Sequence, residues 1–243
     1  MVVGLGPGDK EHMSVRALEA LKEAQVVVGY KTYIHLIQDL IGEGQEVVSS
    51  AMTREVERSR QAVDIALQGK KVAVVSSGDP GVYGMAGVLL EVVYDLGVQE
   101  KVDVEVVPGI SAANAAASSL GAPLMHDYVV LSLSDLLTPW ELILKRIECA
   151  AMGDFVVTVY NPKSKKRVEQ VKILQEIMLK YKAPNTPVGI VQNAKRGESE
   201  VVTVSDLAGF TGEYIDMFSV LIIGNSQTYV QDGKIITPRG YKL

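Results

Sequence analysis

Cysteine is nearly absent, Cys149 being the only one. No disulfide can form within the chain, and there is no cysteine cluster for zinc or an iron–sulfur centre. Histidine is scarce as well: His12, His35 and His126 are scattered with no i, i+4 pair, so a metal site built from them is not expected. Apolar runs are short. None approaches the roughly 18 residues that a membrane helix needs. No basic segment precedes an apolar core at the start, as a secretory leader requires, so the expectation is a cytoplasmic protein with no membrane partner. Positive charge is not in excess either. Twenty-four Lys and Arg against 29 Asp and Glu leave a net charge of −5, which argues against nucleic acid as a partner. A local basic pocket for an acidic small molecule stays open. Also missing are a Gly-Lys-Ser/Thr phosphate loop, a Gly-x-Ser-x-Gly elbow, a zinc signature and a close carboxylate pair. Chemistry here is expected to rest on backbone groups and positioning more than on a protein nucleophile.

What is present is ample for a core: 243 residues, 47% of them hydrophobic and 22% charged, enough for one large domain or two ordinary ones. The chain is organised around residues 76–87, Ser-Ser-Gly-Asp-Pro-Gly-Val-Tyr-Gly-Met-Ala-Gly. The run Val72–Val75 before it reads as a strand and Val88–Val93 after it as a helix, so the glycine-rich piece is a strand-to-helix loop. Such loops, at the carboxyl ends of strands in open α/β sheets, are where ligands bind. Asp79 sits where it could meet polar parts of a small molecule; the bland alternative is a plain connection.

The start is built alike. Val2-Val3-Gly4-Leu5-Gly6-Pro7-Gly8-Asp9 is a short strand entering three glycines, followed by a helix capped by Ser14. The glycines imitate a dinucleotide fingerprint but with the third at the wrong offset, and Pro7 lacks an N–H. A binding loop of another kind is expected, with Asp9 as a polar contact. Strands are predicted near 25–30, 46–48, 72–75 and 102–107, with helices over about 31–41, 53–68 and 88–96. Pro108-Gly109-Ile110-Ser111-Ala112 forms a third strand–glycine–helix corner. This alternation through residue 119 predicts a mainly parallel sheet covered on both faces.

Residues 121–127 break the pattern and serve as the candidate linker between a first domain over 1–120 and a second over 128–243. His126 and Asp127 lie in it and read more readily as structural than catalytic. Beyond it, strands are predicted at 128–132, 155–160, 187–191, 200–204 and 218–223. Thr138 is the expected cap of a helix with Pro139 at its first position. A further helix covers about 168–181, a short one starts at Ser205-Asp206-Leu207, and a hairpin turns at Asp232-Gly233. A mixed sheet follows. The basic run Lys163, Lys165, Lys166, Arg167 reads either as a solvated helix start or as a polyanion contact, with Arg239 a weaker candidate. Four loops, 4–9, 78–87, 108–113 and 160–167, stand at strand ends, and a site between the two halves is expected.

With these loops in view, the chain resembles the tetrapyrrole methylases, the class III S-adenosylmethionine-dependent methyltransferases. The resemblance covers nearly the whole chain and rests on Gly4-Leu5-Gly6-Pro7-Gly8-Asp9, Ser77-Gly78-Asp79-Pro80, Pro108-Gly109-Ile110-Ser111-Ala112 and Gln192-Asn193-Ala194. Residues 81–87, 131–140, 160–164 and 237–241 most resemble members that act at ring carbon C17 in cobalamin synthesis. The resemblance implies two α/β domains, S-adenosylmethionine in the interdomain cleft with S-adenosylhomocysteine as product, a homodimer, and a tetrapyrrole substrate. Matching motifs place Pro7, Ser77, Gly78, Asp79, Val82, Ser111, Ala112, Tyr160 and Ala194 at the cofactor. Glycine often stands in the family at the positions of Ser77, Asn161 and Ala194. The many carboxylates of the substrate would give Lys163, Lys165, Arg167, Arg196 and Arg239 a purpose. Methylation with ring contraction involves proton transfers, for which Asp9, Ser132 and Asp135 are the first candidates, then His126. No protein-bound metal or iron–sulfur cluster is implied. Rival readings are methylation at C11 or C20, a ribosomal-RNA methylase, and a nucleotide-dependent oxidoreductase. The last is disfavoured because no acidic residue ends a second strand.

Overall fold

The computed structural model describes residues 1–51 and 53–242. Contacts divide the chain into two compact units, Met1–Ala112 and Ala113–Leu243.

The first unit runs β1 (Val2–Gly4), α1 (Val15–Glu23), β2 (Val26–Tyr30), α2 (Lys31–Leu36), β3 (Glu46–Ser50), α3 (Glu55–Leu67), β4 (Val72–Ser76), α4 (Met85–Asp95) and β5 (Val106–Val107). The strands form one sheet in the order β3-β2-β4-β1-β5, every neighbouring pair parallel. Side chains alternate across a strand, and both faces are apolar. Val3, Val27, Ala73 and Val75 face Ala17, Ala20 and Leu21 of α1. Val2, Val28, Val72 and Val74 face Ala62 and Val63 of α3 with Leu89 and Val92 of α4. The Ser14 cap forms as expected, its Oγ accepting the Ala17 N–H at 3.1 Å. Two expected elements come out shorter. Only Val106–Val107 of the predicted 102–107 strand pairs, because its partner β1 is three residues long and offers just Val2 and Val3. The helix expected over 31–41 stops at Leu36, followed by a single 3-10 turn, Gln38–Leu40.

The second unit runs α5 (Ala112–Leu120), β6 (Gly121–Ala122), β7 (Tyr128–Ser132), α6 (Trp140–Met152), β8 (Val156–Tyr160), α7 (Gln170–Met178), β9 (Pro187–Gln192), β10 (Val201–Asp206), β11 (Ser219–Ile223), β12 (Tyr229–Gln231) and β13 (Lys234–Ile236). Its main sheet has the order β10-β9-β11-β8-β7 and is mixed: β7 and β8 are parallel, the remaining pairs antiparallel. A smaller sheet, β12-β13-β6, joins the closing hairpin to residues 121–122. Asp232 and Gly233 both take positive φ, 49° and 73°, as a two-residue type I′ turn demands. Ile143 and Ile147 of α6 and Leu174 and Met178 of α7 pack with Val157, Val159, Ile190 and Leu221 of the sheet.

Three local expectations are corrected here. Pro139, not Thr138, holds the cap position of α6, with φ −56° and ψ 137°, and the helix starts at Trp140. Ser205 and Asp206 extend β10, opposite Val188 and Pro187, instead of opening a helix; the helical turn comes later, at Phe210–Gly212. The basic run 163–167 precedes α7 by a turn, since α7 begins at Gln170, so the dipole penalty on cations at a helix start does not apply to it.

One polar clasp lies under this unit. The Lys182 side chain is 1% exposed, and its ammonium donates to Asp154 Oδ1 at 3.2 Å and to the Phe155 carbonyl at 2.9 Å. Asp154 also accepts from the Ser226 N–H and hydroxyl. The turn before β8, the end of α7's extension and the loop before β12 are thereby tied together.

Candidate functional site

In the first unit, β1, β4 and β5 lie side by side, and the loops that leave them meet at one edge. Gly6 and Gly78 pair with each other like a fragment of antiparallel ladder: the Gly6 N–H donates to the Gly78 carbonyl at 3.1 Å, and the Gly78 N–H to the Gly6 carbonyl at 2.7 Å. Both are left-handed, with φ 69° and 66°. The third loop closes on this pair. A Cβ on Gly109 would lie 2.2 Å from the Gly78 carbonyl oxygen, and one on Gly4 would lie 2.7 Å from the Gly109 nitrogen. The glycines are there because three backbones touch.

Asp79 holds the arrangement. One carboxylate oxygen accepts the Gly81 N–H at 2.8 Å and the other the Gly109 N–H at 3.0 Å. Its first role is thus structural, although each oxygen retains a lone pair. Gly78 abuts Ile110, Ser111 and Ala112: the nearest atom that a Cβ there would meet is the Ala112 nitrogen, at 3.6 Å. Ser77, Gly78, Asp79, Ser111 and Ala112 therefore share one edge of the sheet. The loop beginning at buried Pro7 leaves the same edge, and Val82 closes a turn on the Asp79 carbonyl at 3.2 Å. Asp9 is exposed, and its carbonyl accepts the His12 N–H at 3.0 Å. Asp79→Ala is expected to cost about 1–3 kcal/mol, chiefly by orphaning the half-buried Gly109 N–H, with Asp79→Asn, which keeps one carbonyl oxygen, intermediate; chemical denaturation measures both.

In the second unit the parallel pairing of β7 and β8 sets Ser132 opposite Tyr160, so the loops leaving these strands run side by side. The Tyr160 hydroxyl accepts the Ala113 N–H of α5 at 2.9 Å. Asn161 follows in the left-handed region, φ 50°, a conformation that asparagine tolerates better than most residues and one that explains why glycine can stand there. Its amide donates to Ser132 Oγ at 3.0 Å. Arg167 turns back over the loop. Its guanidinium donates to the Asn161 carbonyl at 3.0 Å and lies 3.8 Å from Asp135 Oδ1. With 11% of its side chain exposed, Arg167 ties two loops and is less free to meet a substrate than its place in a basic run suggested. Lys163 is half-buried and Lys165 exposed. At the end of β9, Ala194 is buried between left-handed Asn193 and Lys195, while Ala194 itself does not need glycine's freedom. Arg196 lies half-buried in the following turn, and exposed Arg239 donates to the Met125 carbonyl at 3.4 Å. Gly109 and Asn161 were visible in the motifs but not singled out as site residues; their signal was adjacency across parallel strands, which a linear reading does not display.

An all-parallel sheet with glycine-lined strand ends, followed by a mixed sheet with its own polar strand-end loops, defines a two-unit α/β protein built to hold a small molecule at those loops. The profile of the tetrapyrrole (corrin/porphyrin) methylases matches residues 1–208, and the chain belongs to that family. It is 52% identical over its full length to a cobalt-factor III methyltransferase of Priestia megaterium, of which it spans only 45%. It is 48% identical to a probable cobalt-factor III C(17)-methyltransferase of Salmonella typhimurium, of which it spans 99%. Among solved structures, the methyltransferase CobJ superposes with a TM-score of 0.92 at 36% identity, covering 98% of both chains.

Proposed function

We propose that the chain transfers a methyl group from S-adenosylmethionine to C17 of a cobalt-factor III or precorrin-3B macrocycle, with ring contraction, in cobalamin synthesis. The observation that carries this reading is the 48% identity to the Salmonella relative across 99% of that relative's length. The expected setting is the cytoplasm and the expected assembly a homodimer.

The first unit suits the cofactor. Gly6 and Gly78 let the two loops pair backbone to backbone with the 110–112 segment in van der Waals reach, and half-buried Asp79 retains lone pairs for an ammonium or hydroxyl. Pro7, Ser77, Gly78, Asp79, Val82, Ser111 and Ala112 are the proposed holders there, with Tyr160 and Ala194 from the second unit. When bound, the cofactor supplies an electrophilic methyl on sulfur. The chain's own task is to hold the reacting carbon in line with that methyl, exclude water and fix the substrate's carboxylates. Lys163, Lys165, Arg196 and Arg239 are the proposed cations for those carboxylates. Asp9, Ser132 and Asp135 are the polar side chains proposed to act on the substrate.

The test is methyl transfer from labelled S-adenosylmethionine to cobalt-factor III and to precorrin-3B, side by side, with the new methyl located by NMR. A methyl at C17 in a contracted ring is expected with one of them. A methyl at C11 or C20, or no transfer to either, would overturn the proposal.

A further inference from the structure

We infer that Ser132 is a fixed hydrogen-bond donor to a carboxylate oxygen of the substrate, held in that role by Asn161 and Arg167, and is not a proton-transfer group. The inference rests on the methyltransferase reading above and assigns a role within that site.

A serine hydroxyl has one O–H and two lone pairs. Ser132 Oγ accepts the Asn161 amide at 3.0 Å and the Ser134 N–H at 3.2 Å. Both lone pairs are used, which leaves only the O–H. Among the described residues nothing accepts that hydrogen. A serine that relays protons needs an acceptor behind it, normally a histidine or carboxylate, and here the neighbour is an amide that presents its N–H. Asn161 is held at its main chain: its backbone carbonyl accepts from Arg167 at 3.0 Å and its backbone is left-handed, φ 50°, which sets the direction in which its side-chain amide meets Ser132. Arg167 in turn is 89% covered and anchored toward Asp135, 3.8 Å away, and its Nε has no partner among the described residues. Arg167 thus fixes the Asn161 main chain, the Asn161 side-chain amide donates to Ser132, and the group left over on Ser132 is its O–H donor. Arg167 lies on the Asn161 main chain behind it, and Lys163 follows Asn161 by two residues. A donor end in a positive setting selects an anionic oxygen, and the carboxylates of a tetrapyrrole supply one. Asn161 and Arg167 are positioning residues: they act on the substrate through Ser132.

The discriminating variant is Asn161→Asp. It keeps the size and the tolerance of positive φ but turns the donor facing Ser132 into an acceptor, so the serine proton points inward. Were Ser132 a proton relay, a carboxylate behind it would keep or raise activity. The inference demands the reverse. Ser132→Ala and Asn161→Asp should each lower kcat/KM for the tetrapyrrole about 10–100-fold, with melting temperature and S-adenosylhomocysteine affinity unchanged. Ser132→Thr should restore most of the activity. The double variant should be no worse than Ser132→Ala alone, because both changes remove one interaction. The acid and base limbs of the rate profile should stay where they are in Ser132→Ala. Wild-type turnover in the same assay separates the two levels. A wild type that methylates no tetrapyrrole overturns the functional reading. An active wild type with a fully active Asn161→Asp, a shifted pH limb in Ser132→Ala, or an additive double variant overturns the role given to Ser132.

Discussion

Replacing Gly109 by alanine is expected to destabilise the first unit by about 3–5 kcal/mol, at the upper end for a single substitution. The new Cβ would lie 2.2 Å from the Gly78 carbonyl oxygen and 3.0 Å from the Gly4 carbonyl carbon. Neither neighbour is a flexible side-chain tip. Both are backbone, and Gly78 is also locked to Gly6 by two hydrogen bonds, so relief requires moving three strand ends at once. Cofactor binding should fall with stability, since the same loops carry Ser77, Asp79, Ser111 and Ala112. The melting temperature should drop by roughly 10 °C or more, and calorimetry with S-adenosylhomocysteine should show weakened binding. Gly87→Ala is the control. It lies in α4, where a Cβ would meet nothing within 4 Å, and it should be neutral or stabilising by up to about 1 kcal/mol. Equal behaviour of the two variants would refute the account of glycine packing.

The second large effect is expected at Asp154. Changing it to asparagine, which tolerates the φ of 54° found there, should cost about 3 kcal/mol, because the Lys182 ammonium stays buried without its counter-charge. Lys182→Met should cost clearly less, since the stranded partner, Asp154, is 46% exposed and keeps Ser226. The pair also makes stability depend on pH. Burial pushes the Asp154 carboxyl up, but the Ser226 hydroxyl and N–H and the Lys182 ammonium outweigh it and hold the carboxyl below its ordinary value. A depressed carboxyl contributes stability that is present above the unfolded-state pKa and is lost as pH falls through the lower, folded-state value. Burial dominates for Lys182 and lowers its ammonium. Denaturant midpoints measured from pH 6 downward should fall for the wild type, and that part of the fall should be missing in Asp154→Asn. Parallel curves for the two proteins would refute the role of the clasp.

Much of the first unit was legible in the residues because a parallel sheet buried on both faces writes itself as Val-rich runs, and β2 and β4 lie where Val26–Val28 and Val72–Val75 stand. The alternation of Val102, Val104 and Val106 with charge looked like a full strand. What limited it was the length of β1, a property of the partner and not of the segment. At the second unit, Ser205 and Asp206 have helix-starting chemistry, yet the ladder with β9 continues through both; pairing outweighed local preference. The candidate site shows the same division. Glycine motifs marked which loops matter, since close backbone approach admits little else. The contacts from Asn161 to Ser132 and from Arg167 to Asp135 span 29 and 32 positions and arise only because β7 and β8 run parallel in register. Basic spacing therefore suggested a substrate anchor where the fold makes Arg167 a strut.

The small sheet of the second unit bears on how the protein is made. Every ladder of the first unit is complete once Val107 has been added, and its longest pairing bridges Val3 and Val107. The second unit stays open far longer: β6, at Gly121–Ala122, has no partner until β13, at Ile235–Ile236, is synthesised. On a growing chain, units form in the order in which they emerge, so the first unit can settle while the second waits for β11 to fill its main sheet and for the closing hairpin to cover β6. Chains truncated ahead of Lys234 should thus emerge from translation with a protease-resistant amino-terminal half and a sensitive remainder.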